Sequence, residues 1–413
     1  MEDGFAFQMQ RVPILTLYLC LAENKQGNKV SYRIISVRLM DVMHAEIVKP
    51  EFQVVGYKSG EGLPLGMGFG IFRSNIILAG GLEAVYDGYT NFPPNPRKDV
   101  YQFDDNSTYT IPFLQQGKSC PFLAQHNGKL YVLSTFSLKF SAGHHFTPSF
   151  EMFDPKEGKW ASLPEPPPFT RDYLKHDPFT AHAVVGSNIF VSSIFTPIFC
   201  FNMDDPNQEW KEHEFNMDSQ EWDCQGLPMD FNGQALAVET KDGDWVILSC
   251  TPQSDPIEAG DDIDEDDHDE YDQDNFDLEE HHYHRARPSR DYEWWGMSIH
   301  GYLMSKDCKS LKLMKDLKVP EGILPRNRQR VRGMEFKLVH LGEQKVCLVM
   351  CVDYGHEPKD LEIHVIGFEF QLLPSRDALH FTMLNDVSQF TYHGDESLEP
   401  STTGIYIHSA FFL

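Results

Sequence analysis

Apolar positions in this chain come in short, nearly unbroken runs rather than at helical spacing. Residues 150–164 read FEMFDPKEGKWASLP: an apolar stretch, Asp154-Pro155, a charged turn closing on Gly158, then Trp160 and a second stretch ending at Pro164. That order predicts a strand, a tight turn and a strand. A lone hairpin is marginal in water, so partners for it are expected elsewhere. Similar hairpins occur at 100–114, 198–215, 300–317, 363–384 and, at the start of the chain, 17–37.

A second series precedes these hairpins. NIILAGG (75–81), KLYVLST (129–135), NIFVSSI (188–194), DWVILSC (244–250), KVCLVMC (345–351) and GIYIHSA (404–410) each run into small residues. Most follow one further short strand, as in GFGIFRS (68–74) and AHAVVGS (181–187), and residues 395–403 are expected to supply the sixth. Successive members start 54, 59, 56, 101 and 59 positions apart. The long interval is one repeat plus an insertion at 252–296. Six units of four antiparallel strands predict an all-β, six-bladed β-propeller over residues 1–413, with the insertion in the fourth blade. The last blade is expected to be shared between the chain's two ends. GIYIHSAFFL would supply its inner strands and residues 12–38 its outer hairpin, a closure that removes the open edge of a linear array.

These motifs resemble the kelch-repeat propellers, in which an apolar strand ending in a glycine doublet precedes an aromatic-turn-Trp hairpin. Gly80-Gly81 matches the doublet, while Phe153-Asp154 with Trp160, and Phe201 with Trp210, match the hairpin. The resemblance covers nearly the whole chain. Ser, Thr, Cys or Ala stands where the other five doublets would be, and such small side chains still let inner strands crowd together. Many plant proteins of the F-box/kelch group look similar. No F-box is expected here, because no residues precede the first blade to hold one. The resemblance implies a protein-binding adaptor or substrate-recognition scaffold.

Composition narrows the partners. Apolar residues make up 41% of the 413 and aromatic residues 13%, enough for a large core. A net charge of −27 disfavours nucleic acid and anionic membranes, since phosphates would be repelled. The eight cysteines lie mostly inside apolar runs and include no CxxC pair, which argues against a structural zinc site. The first residues, MEDGFAFQMQR, carry neither the basic nor the apolar part of a secretory signal. The expectation is a reduced, monomeric protein of the cytoplasm, the nucleus or both, with a protein or peptide partner.

In a four-stranded antiparallel blade, the 2–3 connections and the crossings to the next blade emerge at the same end. Here those are the long ones: 39–66, 82–99, 136–149, 165–178, 216–228, 252–296, 318–331 and 352–362. Long loops on a rigid scaffold concentrate function, so this end is the expected binding face. Its candidates are Tyr86, His144, His145, Arg171, Asp172, His176, Arg326, Arg328 and Arg330. The arginines lie in RNRQRVR and suit an anion or an acidic peptide. Residues 255–280 hold 15 Asp or Glu with no Lys or Arg, a composition that predicts a solvated loop. A competing class is a small-molecule-binding or metal-dependent enzyme, similar to the kelch-type specifier proteins that use ferrous iron. Asp172 and His176 fit two of the three ligand positions of that pattern, and Pro168 stands in place of the third, a Glu. No catalytic residue, metal ligand or cofactor is assigned.

Overall fold

The computed structural model describes residues 16–25, 29–38, 52–83, 95–103, 110–135, 149–166, 181–192, 198–212, 233–254, 294–314, 317–318, 333–353, 360–376, 378–384, 388–393 and 405–412. These residues form strands and turns and no helix. The chain starts with β1 (Thr16–Lys25), β2 (Lys29–Arg38) and β3 (Gln53–Glu61). A first meander follows, made of β4 (Gly68–Phe72), β5 (Asn75–Ala79) and β6 (Val100–Gln102). The second holds β7 (Phe122–His126), β8 (Lys129–Leu133), β9 (Phe150–Asp154) and β10 (Lys159–Ser162). The third holds β11 (Ala181–Val185), β12 (Asn188–Ser192), β13 (Phe199–Asn202) and β14 (Lys211–Glu212). In the fourth are β15 (Gly233–Glu239), β16 (Trp245–Ser254), β17 (Trp294–Met304), β18 (Leu311–Leu313) and β19 (Leu317–Lys318). The fifth contains β20 (Gly333–Gly342), β21 (Lys345–Asp353), β22 (Asp360–Leu372), β23 (Leu379–Met383) and β24 (Ser388–His393), and the chain ends on β25 (Ile405–Phe412).

The two ends of the chain share a sheet in the order β25-β1-β2-β3. Leu17 lies opposite Phe412 and Glu23 opposite Ile405, and the rings of Tyr18 and Phe411 stack at 5.7 Å. The partition differs from the expected one. The C-terminal segment gives one strand, not two, and the N-terminal segment gives three. Residues 53–61, expected within a loop, are the outermost strand of this sheet. Its Val54, Val55 and Tyr57 are exposed, so the strand is held by its backbone pairing to β2 rather than by burial. Residues 395–403 lie outside the described residues.

The core explains why the repeating strands read as unbroken apolar runs. Each is sandwiched between neighbouring meanders and buries both faces. In β21, Val346, Leu348 and Met350 face the fourth meander, while Cys347, Val349 and Cys351 pack against Leu17, Leu19 and Leu21 of β1. In β8, Leu130 and Val132 face the first meander, and Tyr131 and Leu133 face the third. β12 and β16 divide their faces in the same way around a cluster holding Phe190 and Ile247. Opposite its leucines, β1 turns Cys20 and Ala22 toward Ile76 and Leu78 of β5. The six apolar clusters thus link each unit to the next and return to the first. This packing makes β1, not the expected GIYIHSA segment, the counterpart of β5, β8, β12, β16 and β21. GIYIHSA falls in β25, at the free inner edge of its sheet.

Three further departures have local causes. Among the described residues of the hairpin expected at 100–114, only 100–102 is strand. Residues 110–114 contribute Ile111 and Leu114 to the core without pairing, and 104–109 lie outside the described residues. The stems of the expected 252–296 insertion are strand, with Gln253 opposite Gly296 and Ser254 opposite Trp294. The third and fourth meanders are joined by parallel pairing of β11 with β15, where Ala181, His182 and Ala183 meet Gly233, Gln234 and Ala235. Three alanines and a glycine leave little bulk between these backbones.

One contact recurs a repeat apart. Trp160 donates its indole N–H to the carbonyl of Pro112 at 2.8 Å, and Trp210 donates its own to Pro164 at 3.0 Å. Each tryptophan of the aromatic-turn-Trp hairpin therefore ties its own meander to the connection that leads into it. The doublet has a backbone reason as well: Gly80 and Gly81 sit at φ +68° and +97°, and a Cβ on Gly81 would lie 2.8 Å from the Leu65 carbonyl oxygen.

Candidate functional site at the mouth of the inner strands

The two ends of the strands are unlike. At one end the connections are short: Arg73-Ser74, Asn127-Gly128 and Glu343-Gln344 each join two strands with two residues. Arg73 and Ser74 take φ of 49° and 66°, and Asn127 and Gly128 take 48° and 70°, the left-handed backbone such two-residue turns require. Polar seams tie this end across neighbouring meanders. His126 Nε2 lies 2.7 Å from Asp204 Oδ1, to which Asn127 Nδ2 also donates at 2.9 Å. Those hydrogen bonds, that of His126 first, hold the Asp204 carboxyl below its ordinary pKa. Arg376 pairs with Asp244, which also accepts from the Lys306 amide at 2.9 Å.

Of the expected 39–66 loop, the 39–52 part joins β2 to β3, a third-to-fourth-strand connection, and so belongs to the short-turn end. The opposite end receives the other long connections, and the innermost strands β4, β7, β11, β15, β20 and β25 start there. Their first residues define a mouth. Gly68 and Gly70 let β4 lie against β7, since a Cβ on Gly68 would come within 2.1 Å of the Pro121 carbonyl oxygen. Phe122, the first residue of β7, stacks on His182, the second of β11, with centroids 4.6 Å apart and planes at 15°. Gln234 lies opposite His182 in the parallel register and is exposed. On β20, Glu335 and Lys337 are half-buried and alternate with Phe336 and Leu338, sharing the side of the strand on which Val339 and Leu341 pack toward β1.

His182 is the chemically distinctive group here. Its Nδ1 is shielded from solvent and makes no hydrogen bond among the described residues. Burial pulls its pKa down to about 3, and the Lys337 ammonium adds to the shift. The ring is therefore neutral at pH 7. Since the unfolded histidine titrates near 6.5, the unfolded chain takes up a proton between about pH 6.5 and 3 that the folded chain does not. Stability is fully present above that window and falls as pH drops through it, by at most about 1.4 kcal/mol per pH unit and less where solvent reaches the ring. His182→Asn is expected to flatten the fall of the urea midpoint between pH 7 and pH 5. His364, whose pKa burial also lowers, leaves part of the slope in place.

A second polar group sets the entry into β7. Lys118 and Glu151 are fully buried, and Lys118 Nζ donates to Glu151 Oε1 at 2.7 Å and to Ser149 Oγ at 2.9 Å. Glu151 also accepts the backbone amides of Gln115 and Gln116 at 2.9 and 2.8 Å. Burial draws the Lys118 pKa down, and Glu151 offsets part of that shift.

The candidates expected from sequence, Tyr86, His144, His145, Arg171, Asp172, His176, Arg326, Arg328 and Arg330, all lie outside the described residues. His176 precedes β11 by five positions and Arg330 precedes β20 by three, so their connections lead straight to His182 and Lys337. Neither His182 nor Lys337 was among the expected residues. The signal for them was a titratable residue inside an otherwise apolar inner-strand run, in AHAVV and FKLVHL.

The class of molecule this architecture defines is an all-β, propeller-like protein whose meanders are packed face to face. The chain belongs to the family described as "Protein of unknown function (DUF1668)", whose model matches residues 16–266. No curated protein sequence matches the chain. Among solved structures it is similar to YjhT at 9% identity and a TM-score of 0.44, with 90% of this chain and 98% of that one covered. It is also similar to a protein of unknown function from Dyadobacter fermentans, at 10% and 0.41 over 83% and 92% of the two chains. A third likeness is to the N-terminal domain of Nup159, at 9% and 0.35 over 96% of each chain.

Proposed function

We propose that the chain is a single six-bladed, kelch-like ring that acts as a protein-interaction module, engaging a protein or peptide through the end that carries the long connections. The observation that supports this is the inequality of the two ends. One is closed mainly by short turns and stitched by Asp204 and Asp244, although the 39–52 connection from β2 to β3 also leaves from it, while the other receives the remaining long connections and a mouth holding His182 and Gln234. Rigid scaffolds with variable loops at one end suit recognition. Tyr86, His144, His145, Arg171, Asp172, His176, Arg326, Arg328 and Arg330 belong to the connections of that end and are the residues assigned to contact. The protein works as a monomer in the cytoplasm or nucleus, without nucleic acid or membrane.

Affinity capture from native cell extract followed by mass spectrometry tests this reading. A partner that is retained by the intact chain and released by substitutions on the long-connection end supports it. A partner released only by substitutions at the short-turn end refutes it. The acidic segment supplies a further expected outcome. Because Ser254 and Trp294 are register partners, a short Gly/Ser linker can replace residues 255–287. Urea unfolding of this variant is expected to stay cooperative and to shift by no more than about 1 kcal/mol. If the segment screens the arginines at 326–330, its removal also strengthens binding of an acidic peptide at low salt.

A second reading, a small-molecule or metal-dependent enzyme, is favoured by one observation, the sheltered Nδ1 of His182. Among the described residues no three His, Cys, Asp or Glu side chains converge as a metal site requires. Metal analysis of the purified protein separates the two readings, since stoichiometric iron or copper would favour the enzyme.

A further inference from the structure

The junction between the third and fourth meanders is held differently along its length. At the mouth the backbones pair, with Ala181–Ala183 of β11 against Gly233–Ala235 of β15. Toward the short-turn end it is made by side chains, among them two cysteines that meet on one carboxamide. Asn188, the first residue of β12, donates from Nδ2 to the Cys308 sulfur at 3.8 Å, and Cys200 on β13 donates its S–H to Asn188 Oδ1 at 3.7 Å. The register accounts for one half of this arrangement. Asn202 is opposite Asn188 and Cys200 is opposite Phe190, so Cys200 lies one pleat from Asn188 on the same face of the sheet. A tight turn of the fourth meander accounts for the other half. Cys308 takes a φ of 57° and donates its amide to the Ser305 carbonyl at 2.8 Å, while Ser305 Oγ accepts the Ser310 amide at 2.9 Å. The turn aims Cys308 at the third meander, and both cysteines pack with the cluster that holds Phe190, Ile198 and Tyr302.

We propose that Cys200 and Cys308 form a reversible disulfide that fastens the third meander to the fourth at the short-turn end. The oxidant is hydrogen peroxide, small enough to enter beside the half-buried Cys200. Burial pushes both thiols up, that of Cys200 to about 12, and at Cys308 the Asn188 N–H works against the shift. Cys308 is therefore the sulfur set to ionise first. Its thiolate attacks one peroxide oxygen and the O–O bond breaks, leaving a sulfenic acid on Cys308. The departing hydroxide takes up the proton that the thiol gave up and leaves as water. The Asn188 carboxamide then swings aside, the Cys200 sulfur attacks the Cys308 sulfur, and the S–O bond breaks. A second water leaves with the Cys200 proton. Two thiols are oxidised, peroxide is reduced to two waters, and a thiol reductant reverses the bond by exchange. The bond closes a long loop of chain between β13 and the 305–310 turn, so it constrains the unfolded state strongly.

The pairing is tested by titrating the reduced full chain with hydrogen peroxide at mildly alkaline pH, capping the remaining thiols with iodoacetamide and mapping the unreduced peptides. A linked pair of peptides holding Cys200 and Cys308 is expected, lighter by two hydrogens and returned to thiols by dithiothreitol. The oxidised chain is expected to melt about 2–5 °C above the reduced one. Cys200→Ser is expected to lose both the link and the rise. In that variant the Cys308 sulfenic acid has no thiol to resolve it and is expected to be trapped by dimedone. The mapping uses the natural sequence, so the pairing is decided even where Cys200→Ser fails to fold. Iodoacetamide caps on both Cys200 and Cys308 after peroxide treatment, separate oxidation of the two to sulfinic acids, or links to other cysteines in their place overturn the proposal. A Cys200–Cys308 link with no rise in melting temperature overturns the fastening of the two meanders.

Discussion

Glu151→Ala is expected to destabilise the protein by about 3–5 kcal/mol, the cost of leaving a buried charge without its partner. Lys118 and Glu151 are 0% and 1% exposed, so water cannot replace the lost carboxylate. The substitution would also orphan the Gln115 and Gln116 amides, which end on the same side chain. Removing both charges is a different experiment. Lys118→Met with Glu151→Leu keeps the volume and removes the unpaired charge, and it is expected to recover part of the loss, the Gln115 and Gln116 amides still lacking their acceptor. Urea unfolding of the two variants beside the parent decides the matter. A single variant within about 1 kcal/mol of the parent would show that solvent reaches the pair. The pair also bears on the site, because Lys118 lies four residues before Phe122, the ring that braces His182.

Deleting residues 405–412 is expected to abolish cooperative folding. The deletion removes β25, bares the inner edge of β1 from Leu17 to Glu23 and uncovers Tyr18. The same sheet packs Leu17, Leu19 and Leu21 against the fifth meander and Cys20 and Ala22 against the first. Loosening it therefore opens two of the six clusters at once, and a bare apolar edge invites association. Size-exclusion chromatography and thermal melting provide the readout. A truncated monomer with a cooperative transition near the full-length temperature would mean that β25 is dispensable.

Much of this architecture was legible because a strand packed on both faces must be apolar at every position. That requirement produced the recurring NIILAGG-like segments, and their spacing gave the repeat. The reading failed where another force held the chain. β3 is fixed by pairing with β2 and exposes its apolar side chains, so hydrophobicity could not mark it. GIYIHSA copies the composition of the second strands but occupies an inner edge, a distinction that only pairing reveals. Ile111 and Leu114 show the converse, with core burial and no ladder. At the site, sequence reasoning looked to polar residues in long connections. His182 and Lys337 sit in strands whose pattern reads as core, so the sense of their side chains depends on an inter-strand arrangement that the local sequence does not state.

The shared sheet also sets an order of events during synthesis. β1, β2 and β3 are made long before β25, the neighbour on the inner side of β1. At roughly 5–20 residues per second, on the order of twenty seconds to over a minute separates Lys25 from Ile405. Throughout that interval the Leu17–Glu23 edge has no native partner, and completion of its sheet waits for β25. The nascent N-terminal hairpin is thus the segment most in need of a chaperone's cover, and a stalled ribosome would leave it adhesive.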